Sequence, residues 1–360
     1  MKNICFIIDN LAHCGGTERV GTLIANELSK KGYGVYFVNY CASGIPFFSL
    51  ESSIKVFNLL SGYWEKKTRN RWRKYASLKL KWYLRKYQID VVIDIDTLFA
   101  VWTYSAIKDT SIKWISWDHF NYDFSTATPI RKKALELVRK YADALVLLTQ
   151  DDLQMYKAKS GIDPRKLKQI YNPISFQMPY HIDHPAHKVM AMGRISFQKG
   201  FDLLLKSWLK VEKQNTDWTL EIVCGQGDYH ALQQEAEAMG LKSVQCVGAS
   251  NDVQDKMKEA GIFALSSRFE GFPLAILEAA AMSLPIVAYN CPTGPQEILV
   301  NQQNGVLVEN GDIDAFADAL LDIMNDDEQR SRLSISAYET SQRFQIDKII
   351  PIWIDLIENI

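Results

Sequence analysis

A chain of 360 residues exceeds what one ordinary hydrophobic core holds, so its length predicts two domains. Its 47% hydrophobic and 23% charged residues are typical of a globular protein and argue against a disordered chain. The six cysteines are scattered and form no Cys-x-x-Cys pair, which argues against a zinc site or a disulfide framework and favours a reducing cytoplasm.

The net charge of −1 conceals two halves of opposite sign. Residues 1–172 hold 27 Lys and Arg against 16 Asp and Glu, whereas the remaining residues hold 14 against 26. The basic half is therefore the better candidate to meet a phosphate-bearing or membrane-bound partner. No apolar run approaches the ~20 residues of a membrane span, and the first run, residues 4–8, is too short for a signal peptide.

Short apolar runs alternate with helical patterns along the chain, which is typical of βαβ units and parallel sheets. In the first half they predict strands at residues 3–9, 34–39, 90–95, 112–117 and 144–148. In the second half they predict strands at residues 188–192, 219–224, 244–247, 262–265, 285–288 and 305–308. A first helix is predicted with Thr17 as its N-cap and Gly32 after its last turn. The expected fold class is α/β, with two Rossmann-like doubly wound domains that face a central cleft.

Prolines mark the predicted join between the domains. Pro173, followed by the polar residues 177–187 with Pro179 and Pro185, predicts an interdomain linker. We therefore assign residues 1–173 to an N-terminal domain and residues 174–340 to a C-terminal domain. Residues 341–360 end in an apolar segment around Trp353 that is predicted to pack as a helix.

Two adjacent glycines, Gly15 and Gly16, lie between the first predicted strand and helix. Glycines there let the backbone approach a ligand closely, and the helix N-terminus favours an anion. A plain strand-to-helix turn is the alternative interpretation. The pattern is not the dinucleotide Gly-x-Gly-x-x-Gly, which argues against a nicotinamide or flavin enzyme.

Two cations follow the strand at residues 188–192 in the segment GRISFQKG, residues 193–200. Arg194 and Lys199 are thereby placed at the carboxyl end of a sheet, where ligands bind. Arginine forks two bonds to phosphate oxygens and lysine acts as a point charge, so the pair predicts a diphosphate site. Solvated surface charges are the alternative interpretation.

Two carboxylates, Glu270 and Glu278, are separated by seven residues in the segment EGFPLAILE. Pro273 suits the first turn of a helix, so Glu270 is predicted in the preceding loop and Glu278 inside the helix. Carboxylates in these places accept hydrogen bonds from adjacent hydroxyl groups of a ribose or a hexose. A structural salt bridge is the alternative for Glu278, because a buried carboxylate needs a partner.

In the first half, Asp118 and His119 follow the strand at residues 112–117. Both side chains are placed at the strand end to reach a sugar hydroxyl or to orient a transferred group. A partly buried structural histidine is the alternative interpretation.

Residues 64–87 hold ten Lys and Arg against a single acid, interleaved with Trp72, Tyr75, Trp82 and Tyr83. This composition is typical of a helix on an anionic membrane surface. The alternative is a surface helix whose aromatic side chains face the domain core. Nucleic-acid binding is not expected, because no nucleic-acid motif accompanies the basic residues and the other half is acidic.

Five segments together resemble the retaining glycosyltransferases of family 4, whose architecture is called GT-B. The segments are GGTE at 15–18, GRISFQKG at 193–200, EGFPLAILE at 270–278, TGPQEI at 293–298 and NGVLV at 304–308. The resemblance covers essentially the whole chain and is strongest from residue 193 to residue 308. One departure is Ser283, which stands with Leu284 before Pro285 where the family usually has a glycine before the proline.

The resemblance implies roles for particular residues. Glu270 and His119 are the implied catalytic residues, and both contact the donor sugar. The implied donor-binding residues are Gly15, Gly16, Arg194, Lys199, Gly225, Gly227, Gly271, Phe272, Pro273, Leu274 and Glu278. No metal and no cofactor is implied, because Arg, Lys and a helix N-terminus neutralise the leaving diphosphate. The first domain binds the acceptor, the second binds the nucleotide sugar, and residues 341–360 cross back to the first domain.

The expected reaction transfers a hexose or N-acetylhexosamine, with retention, from a nucleotide sugar to a lipid-linked or growing saccharide. A UDP-sugar and bacterial surface-polysaccharide biosynthesis are the first choices, in the cytoplasm or at the inner face of its membrane. One alternative is a nucleotide-sugar epimerase on the same fold. Another is a catalytically silent sugar-nucleotide-binding membrane scaffold, against which the complete set of Arg194, Lys199, Glu270 and Glu278 argues.

Overall fold

The computed structural model describes residues 1–42, 44–61, 73–176, 182, 184, 186–225, 227–250 and 253–360. These residues form two compact units, Met1–Ser175 with Ile346–Ile360, and Phe176–Gln345. Most of the predicted linker, including Pro179 and Pro185, lies outside the described residues, as do residues 64–72 of the predicted basic helix.

Strands and helices alternate through both units. The strands are β1 (Asn3–Ile8), β2 (Gly34–Ala42), β3 (Lys55–Ser61), β4 (Val91–Ile95), β5 (Lys113–Trp117), β6 (Ala144–Leu147), β7 (Leu167–Gln169), β8 (Lys188–Gly193), β9 (Thr219–Cys224), β10 (Val244–Val247), β11 (Ile262–Leu265), β12 (Ile286–Asn290) and β13 (Val306–Glu309). The helices are α1 (Gly16–Lys30), α2 (Arg73–Lys86), α3 (Ala100–Ile107), α4 (Tyr122–Ser125), α5 (Pro129–Tyr141), α6 (Gln150–Lys159), α7 (Phe201–Gln214), α8 (Tyr229–Ala238), α9 (Val253–Lys258), α10 (Leu274–Ala281), α11 (Pro295–Ile298), α12 (Ile313–Asn325), α13 (Asp327–Ser341) and α14 (Ile346–Asn359).

Each unit is built around one sheet whose neighbouring strands are parallel. The first sheet has seven strands in the order β3-β2-β1-β4-β5-β6-β7, and the second has six in the order β10-β9-β8-β11-β12-β13. The predicted α/β class with two Rossmann-like domains is confirmed. Strand order reverses between β1 and β4 and between β8 and β11, so the loops after these strands are where open α/β sheets bind ligands.

Two strands and one helix cap differ from the sequence-based predictions. The strands β3 and β7 were not predicted, because β3 mixes Lys55 and Asn58 with apolar residues and β7 has only three residues. The helix α1 begins at Gly16 with Gly15 as its N-cap and no side-chain cap bond, so the prediction of Thr17 as N-cap is wrong. Thr17 lies inside the first turn.

The C-terminal helix α14 completes the first unit. Its buried side chains are Ile349, Ile350, Trp353, Leu356 and Ile357. The Lys2 ammonium donates to the backbone oxygen of Ile357 at 2.6 Å, which ties the end of this helix to the start of the chain. Among the described residues, no helix combines the length and the hydropathy that a membrane span requires.

The turn between β8 and α7 depends on a glycine. Gly200 has a φ of 62°, in the left-handed region, and precedes the first residue of α7. A Cβ at this position would overlap the backbone oxygen of Ser266, in the loop after β11. The two loops therefore meet backbone to backbone at a place where a side chain does not fit.

The departure at Ser283 keeps the conformation that a glycine favours. Ser283 is fully buried and has a φ of 62°, in the left-handed region. Its hydroxyl accepts a hydrogen bond from the backbone N–H of Ile182 at 3.1 Å. The serine is thus accommodated between α10 and β12 with a bond that glycine lacks.

A carboxyl group is fully buried inside the first sheet. Asp94 on β4 accepts hydrogen bonds from the Thr103 hydroxyl at 2.6 Å and the Trp114 indole N–H at 2.9 Å. Burial raises the pKa of Asp94 to about 8 despite these bonds. At neutral pH the group is therefore largely protonated in the folded chain.

Replacing Asp94 by Asn should reduce the pH dependence of stability. A carboxyl group with a raised pKa stabilises the fold most at low pH, and this contribution is lost as the pH rises from about 4 to about 8. The stability of D94N relative to the parent should therefore rise across that window, by at most about 1.4 kcal/mol per pH unit. Urea unfolding at several pH values measures the difference, and parallel curves for the two proteins would contradict a buried protonated carboxyl.

Replacing Gly200 by Ala should destabilise the chain more than the same change at Gly240. Gly240 has a φ of 83° and no neighbour within 4 Å of an added Cβ, so alanine there carries only the backbone cost of about 1–2 kcal/mol. At Gly200 the overlap with Ser266 should add about 1–3 kcal/mol. Urea unfolding of both variants measures the difference, and equal losses would mean that the Ser266 loop moves aside freely.

Candidate functional site

An ion pair joins the loops after β8 and β11. The Lys199 ammonium lies 2.6 Å from Glu270 Oε1, and the two side chains are 16% and 7% exposed. The strands β8 and β11 are neighbours, so both loops emerge at the carboxyl edge of the sheet, at its switch point. The sequence predicted the cations and the carboxylates as separate groups, and the structure brings one of each into direct contact.

Glu270 is held by further hydrogen bonds. The Ser267 hydroxyl donates to Oε1 at 2.6 Å, and the Gln198 amide donates to Oε2 at 3.4 Å. The Thr293 hydroxyl donates to the backbone oxygen of Glu270. The bonds that Ser267 and Gln198 donate to the carboxylate are charge-assisted, and such a bond is worth about 1.5–3 kcal/mol. The Glu270 carboxylate is therefore fixed in one place. Ser267 was not singled out from the sequence, and Gln198 and Thr293 were named only as parts of the segments 193–200 and 293–298, because each meets Glu270 only in the folded chain.

A second ion pair braces the same two loops. Arg268 donates to both carboxylate oxygens of Asp202 on α7, at 2.8 and 2.7 Å. Its guanidinium also donates to the backbone oxygen of Phe197 at 2.8 Å and lies 4.1 Å above the Phe197 ring. This bidentate pair lowers the pKa of Asp202. The turn that carries Lys199 is thereby fastened to the loop that carries Glu270.

The other predicted residues around β8 lie beside this turn. Arg194 follows the last residue of β8 and is exposed. The backbone N–H of Gly225 donates to the oxygen of Gly193 at 2.9 Å, so the loop after β9 runs alongside. Gly227 has a φ of 111° and packs against Ile195, where a larger residue would overlap. The structure thus brings the Arg194 turn and the two glycines together.

The segment that carries Glu278 begins the helix α10. Pro273 is the N-cap, Leu274 is the first helical residue, and Gly271 precedes the buried Phe272. Glu278 is 2% exposed, inside a helix whose other side chains are almost all apolar. The predicted position of Glu278 inside the helix and of Glu270 before it is confirmed, whereas their roles stay predictions.

In the first unit, Gly15 and Gly16 form the start of α1 after β1. The Glu18 carboxylate, which is buried, lies so close to Gly15 that a Cβ there would overlap it. His13 Nδ1 is 3.9 Å from Glu18 Oε1. The loop is therefore a compact turn, and a side chain at position 15 would require the Glu18 carboxylate to move.

His119 lies at the carboxyl end of β5, directly after Asp118. Its ring is half-buried and its centroid is 4.4 Å from that of Trp117. The Nε2 atom is buried and has no hydrogen-bond partner within the described part of the chain. Burial lowers the pKa of His119 to about 3, so the imidazole is neutral at physiological pH. A neutral imidazole offers both a donor and an acceptor to a hydroxyl group.

The Asp118 carboxylate is buried and points into the first unit. The hydroxyl of Tyr156 donates to Oδ2 at 2.6 Å, and the backbone N–H of Phe120 donates to Oδ1 at 3.2 Å. Burial, with a smaller contribution from Asp96, raises the pKa of Asp118 to about 6. The expectation that Asp118 reaches a sugar hydroxyl is therefore wrong, because both of its oxygens are used inside the unit.

The helix α2 presents part of the predicted basic aromatic surface. Tyr75, Leu78 and Trp82 are 52%, 68% and 54% exposed, and they share one face at a spacing of three and four residues. Tyr83 instead packs in the core. The alternative in which the aromatic side chains face the core is thus wrong for Tyr75 and Trp82, and Trp72 lies outside the described residues.

The described residues contain no group of three or more His, Cys, Asp or Glu side chains placed to hold a metal ion. What the site in the second unit offers is one exposed cation, Arg194, beside a cation–carboxylate pair, Lys199 and Glu270. Cations suit a phosphate-bearing ligand, and the carboxylate suits hydroxyl groups next to it.

Two family models match the chain, one on each half. The model described as Glycosyltransferase Family 4 matches residues 14–177, and the one described as Glycosyl transferases group 1 matches residues 178–340. The two matches cover the first-unit loop at Gly15 and Gly16 and the second-unit segments that carry Lys199 and Glu270.

Curated proteins and solved structures agree with these matches. An uncharacterized glycosyltransferase of Haemophilus influenzae is 30% identical over 357 residues, with 98% of this chain and 99% of that protein covered. A Campylobacter jejuni alpha-1,4-N-acetyl-D-galactosaminyltransferase, named for a saccharide on PP-undecaprenol, is 24% identical over 371 residues, with 100% and 99% covered. Anabaena HepE, crystallised with UDP and glucose, has a TM-score of 0.83 at 18% identity, with both chains fully covered.

The relative from Haemophilus influenzae spans nearly the full length of both proteins at 30% identity, and the two family models together span residues 14–340. The chain belongs to the family 4 glycosyltransferases of the GT-B fold and is a transferase enzyme.

Proposed function

We propose that the enzyme transfers a hexose or N-acetylhexosamine, with retention, from a UDP-sugar to a lipid-linked or growing saccharide of a bacterial surface polysaccharide. The observation that carries this proposal is the Lys199–Glu270 pair, set beside Arg194 at the carboxyl edge between β8 and β11. HepE, which is similar in fold, was crystallised in complex with UDP and glucose, and the Campylobacter relative is named for a saccharide on PP-undecaprenol and for the transfer of N-acetyl-D-galactosamine.

In this proposal the two cations hold the donor diphosphate. Arg194 is exposed and binds phosphate oxygens through its fork of N–H groups. Lys199 is already neutralised by Glu270, so a bound diphosphate shares the ammonium with that carboxylate. Gly225, Gly227, Gly15 and Gly16 bring backbone close to the nucleotide and the phosphates. No metal is required, because the cations and the N-terminus of α10 balance the negative charge of the leaving group.

Glu270, His119 and Glu278 recognise hydroxyl groups. Glu270 is fixed by Ser267 and Lys199, and contacts the donor sugar near the reacting carbon. His119 offers a neutral imidazole, whose Nε2 has no hydrogen-bond partner among the residues that the structure describes, and contacts the donor sugar. Glu278 binds the ribose hydroxyls from α10, beside Gly271, Phe272, Pro273 and Leu274.

The transfer step breaks the bond between the anomeric carbon and the diphosphate oxygen. The acceptor oxygen then bonds to the anomeric carbon on the face that the diphosphate leaves, which retains the configuration. The proton of the acceptor hydroxyl passes to an oxygen of the leaving diphosphate. The products are the glycosylated acceptor and UDP, so charge and atoms balance without an added base.

A donor panel tests the proposal. UDP-glucose, UDP-galactose, UDP-N-acetylglucosamine, UDP-N-acetylgalactosamine, GDP-mannose and ADP-glucose are incubated with the enzyme, with and without a bacterial membrane extract that contains lipid-linked saccharides. Transfer of one UDP-sugar only in the presence of extract supports the proposal. Donor conversion without extract would favour the epimerase alternative, and no binding of any donor would favour a silent scaffold.

Replacing Lys199 by Ala should remove nearly all transfer and weaken UDP binding about tenfold or more. The matched control is Lys206→Ala, because Lys206 is an exposed lysine on the adjacent helix α7. Calorimetry with UDP and the transfer assay measure both effects, and a melting curve checks that K199A is folded. Transfer by K199A within a few-fold of the parent would exclude this role of Lys199.

We further propose that the α2 surface, defined by Tyr75, Leu78 and Trp82 with Lys86 beside Trp82, docks on an anionic membrane. The Lys86 ammonium lies 4.8 Å from the Trp82 ring centroid, and no acidic residue occurs between positions 73 and 86. Exposed apolar side chains with a cation beside them fit acyl chains below anionic headgroups. Such docking would bring a lipid-linked acceptor to the first unit, the more basic of the two halves.

Replacing Leu78 and Trp82 together by Ser should lower binding to phosphatidylglycerol-containing vesicles about tenfold or more. The control is Ile335→Ser, which removes an apolar side chain of similar exposure, 44%, from α13 in the second unit. Vesicle cosedimentation at low and high salt measures the change. Equal binding by the parent and L78S/W82S, or equal binding to neutral phosphatidylcholine vesicles, would contradict the docking surface.

A further inference from the structure

The C-terminal helix reaches His119 through two tryptophans. Trp353 on α14 and Trp117 at the end of β5 are both fully buried. Their ring centroids are 4.6 Å apart at an interplanar angle of 62°, an edge-to-face contact. The Trp117 ring lies 4.4 Å from the His119 ring at 47°. The three rings therefore form a continuous stack from α14 to His119.

Packing alone sets the orientation of this stack. The indole Nε1 atoms of Trp117 and Trp353 are buried and have no hydrogen-bond partner within the described residues, and neither has His119 Nε2. Buried indole N–H groups usually find a partner, so their orientation here is not fixed by hydrogen bonds. Because protein interiors are close-packed, a change in one ring shifts the next.

Charged neighbours do not explain the lowered pKa of His119. Burial is the cause of its lowered pKa, and the adjacent Asp118 carboxylate is turned to Tyr156 and the Phe120 N–H. Asp96, the carboxylate that contributes to the raised pKa of Asp118, is paired with Arg131 at 2.9 Å. The contact that the structure shows for the His119 ring is with Trp117, which in turn packs against Trp353.

We propose that Trp353 is a positioning residue, which acts through Trp117 to hold the His119 imidazole where it contacts the donor sugar. The last helix of the chain then has a part in the reaction although it lies far from His119 in sequence. This inference rests on the proposed role of His119. It adds that the C-terminal helix sets the geometry of that contact and not only the stability of the first unit.

The test compares Trp353→Leu with Trp353→Phe. Leucine keeps an apolar side chain but no ring, so kcat for transfer of the donor selected by the panel should fall about tenfold or more. The affinity for UDP should stay within about twofold, because the side chains proposed to hold UDP, those of Arg194, Lys199 and Glu278, are in the second unit. Phenylalanine keeps a ring against Trp117 and should restore kcat to within about threefold of the parent.

A matched control separates positioning from stability. Ile357 is fully buried on the same helix, one turn beyond Trp353, so Ile357→Ala should lower stability and leave kcat near the parental value. A double-mutant cycle with His119→Ala measures the coupling between Trp353 and His119 in the rate of transfer. W353L should lower transfer little further in the H119A background, whereas additive losses would mean that Trp353 acts elsewhere.

A second readout needs no substrate. The imidazole signal of His119, identified by its absence in H119A, is titrated by NMR in the parent, W353L and I357A. The pKa of His119 should rise toward the ordinary range in W353L alone, because water enters beside the ring. An unchanged titration in W353L would overturn the positioning role. Parental transfer by H119A would instead overturn the proposed role of His119, and these two failures are distinguishable.

Discussion

The ion pair between Lys199 and Glu270 is the contact on which the second unit's site depends. It joins two loops that are 71 residues apart in sequence and that lie side by side because β8 and β11 are neighbours. A buried carboxylate without a cation is costly, so each side chain fixes the other. Arg268 with Asp202, and Gly200 against Ser266, hold the same two loops from either side.

The pairing also has a consequence for the free enzyme. Lys199 and Glu270 neutralise each other, so the site is not a bare pair of cations awaiting phosphate. Only Arg194 among the predicted cations is exposed there. In the proposed donor complex, a diphosphate meets one accessible guanidinium first and then competes for an ammonium whose position is already set. Preorganisation of this kind lowers the reorganisation that charge development requires.

Much of the fold was predictable from the sequence, because each parallel strand between covering helices is a short apolar run. The edge strands were not: β3 carries Lys55 and Asn58, and β7 is too short for any periodicity. The motifs predicted which residues lie at the carboxyl edges. They did not predict the partner of Lys199, the inward turn of Asp118 or the contact of Trp353 with Trp117, because these depend on side-chain directions across separate strands.

The contact at Gly200 limits how the loops after β8 and β11 can be exchanged between this chain and a relative. Its backbone lies against that of Ser266 without room for a Cβ, so the loops after β8 and β11 fit each other as one surface. A chimera that takes only one of these loops from a relative combines two loops whose backbones were not fitted to each other. Exchange of both loops together preserves the fit, so the two segments, although distant in sequence, form one structural unit in this enzyme.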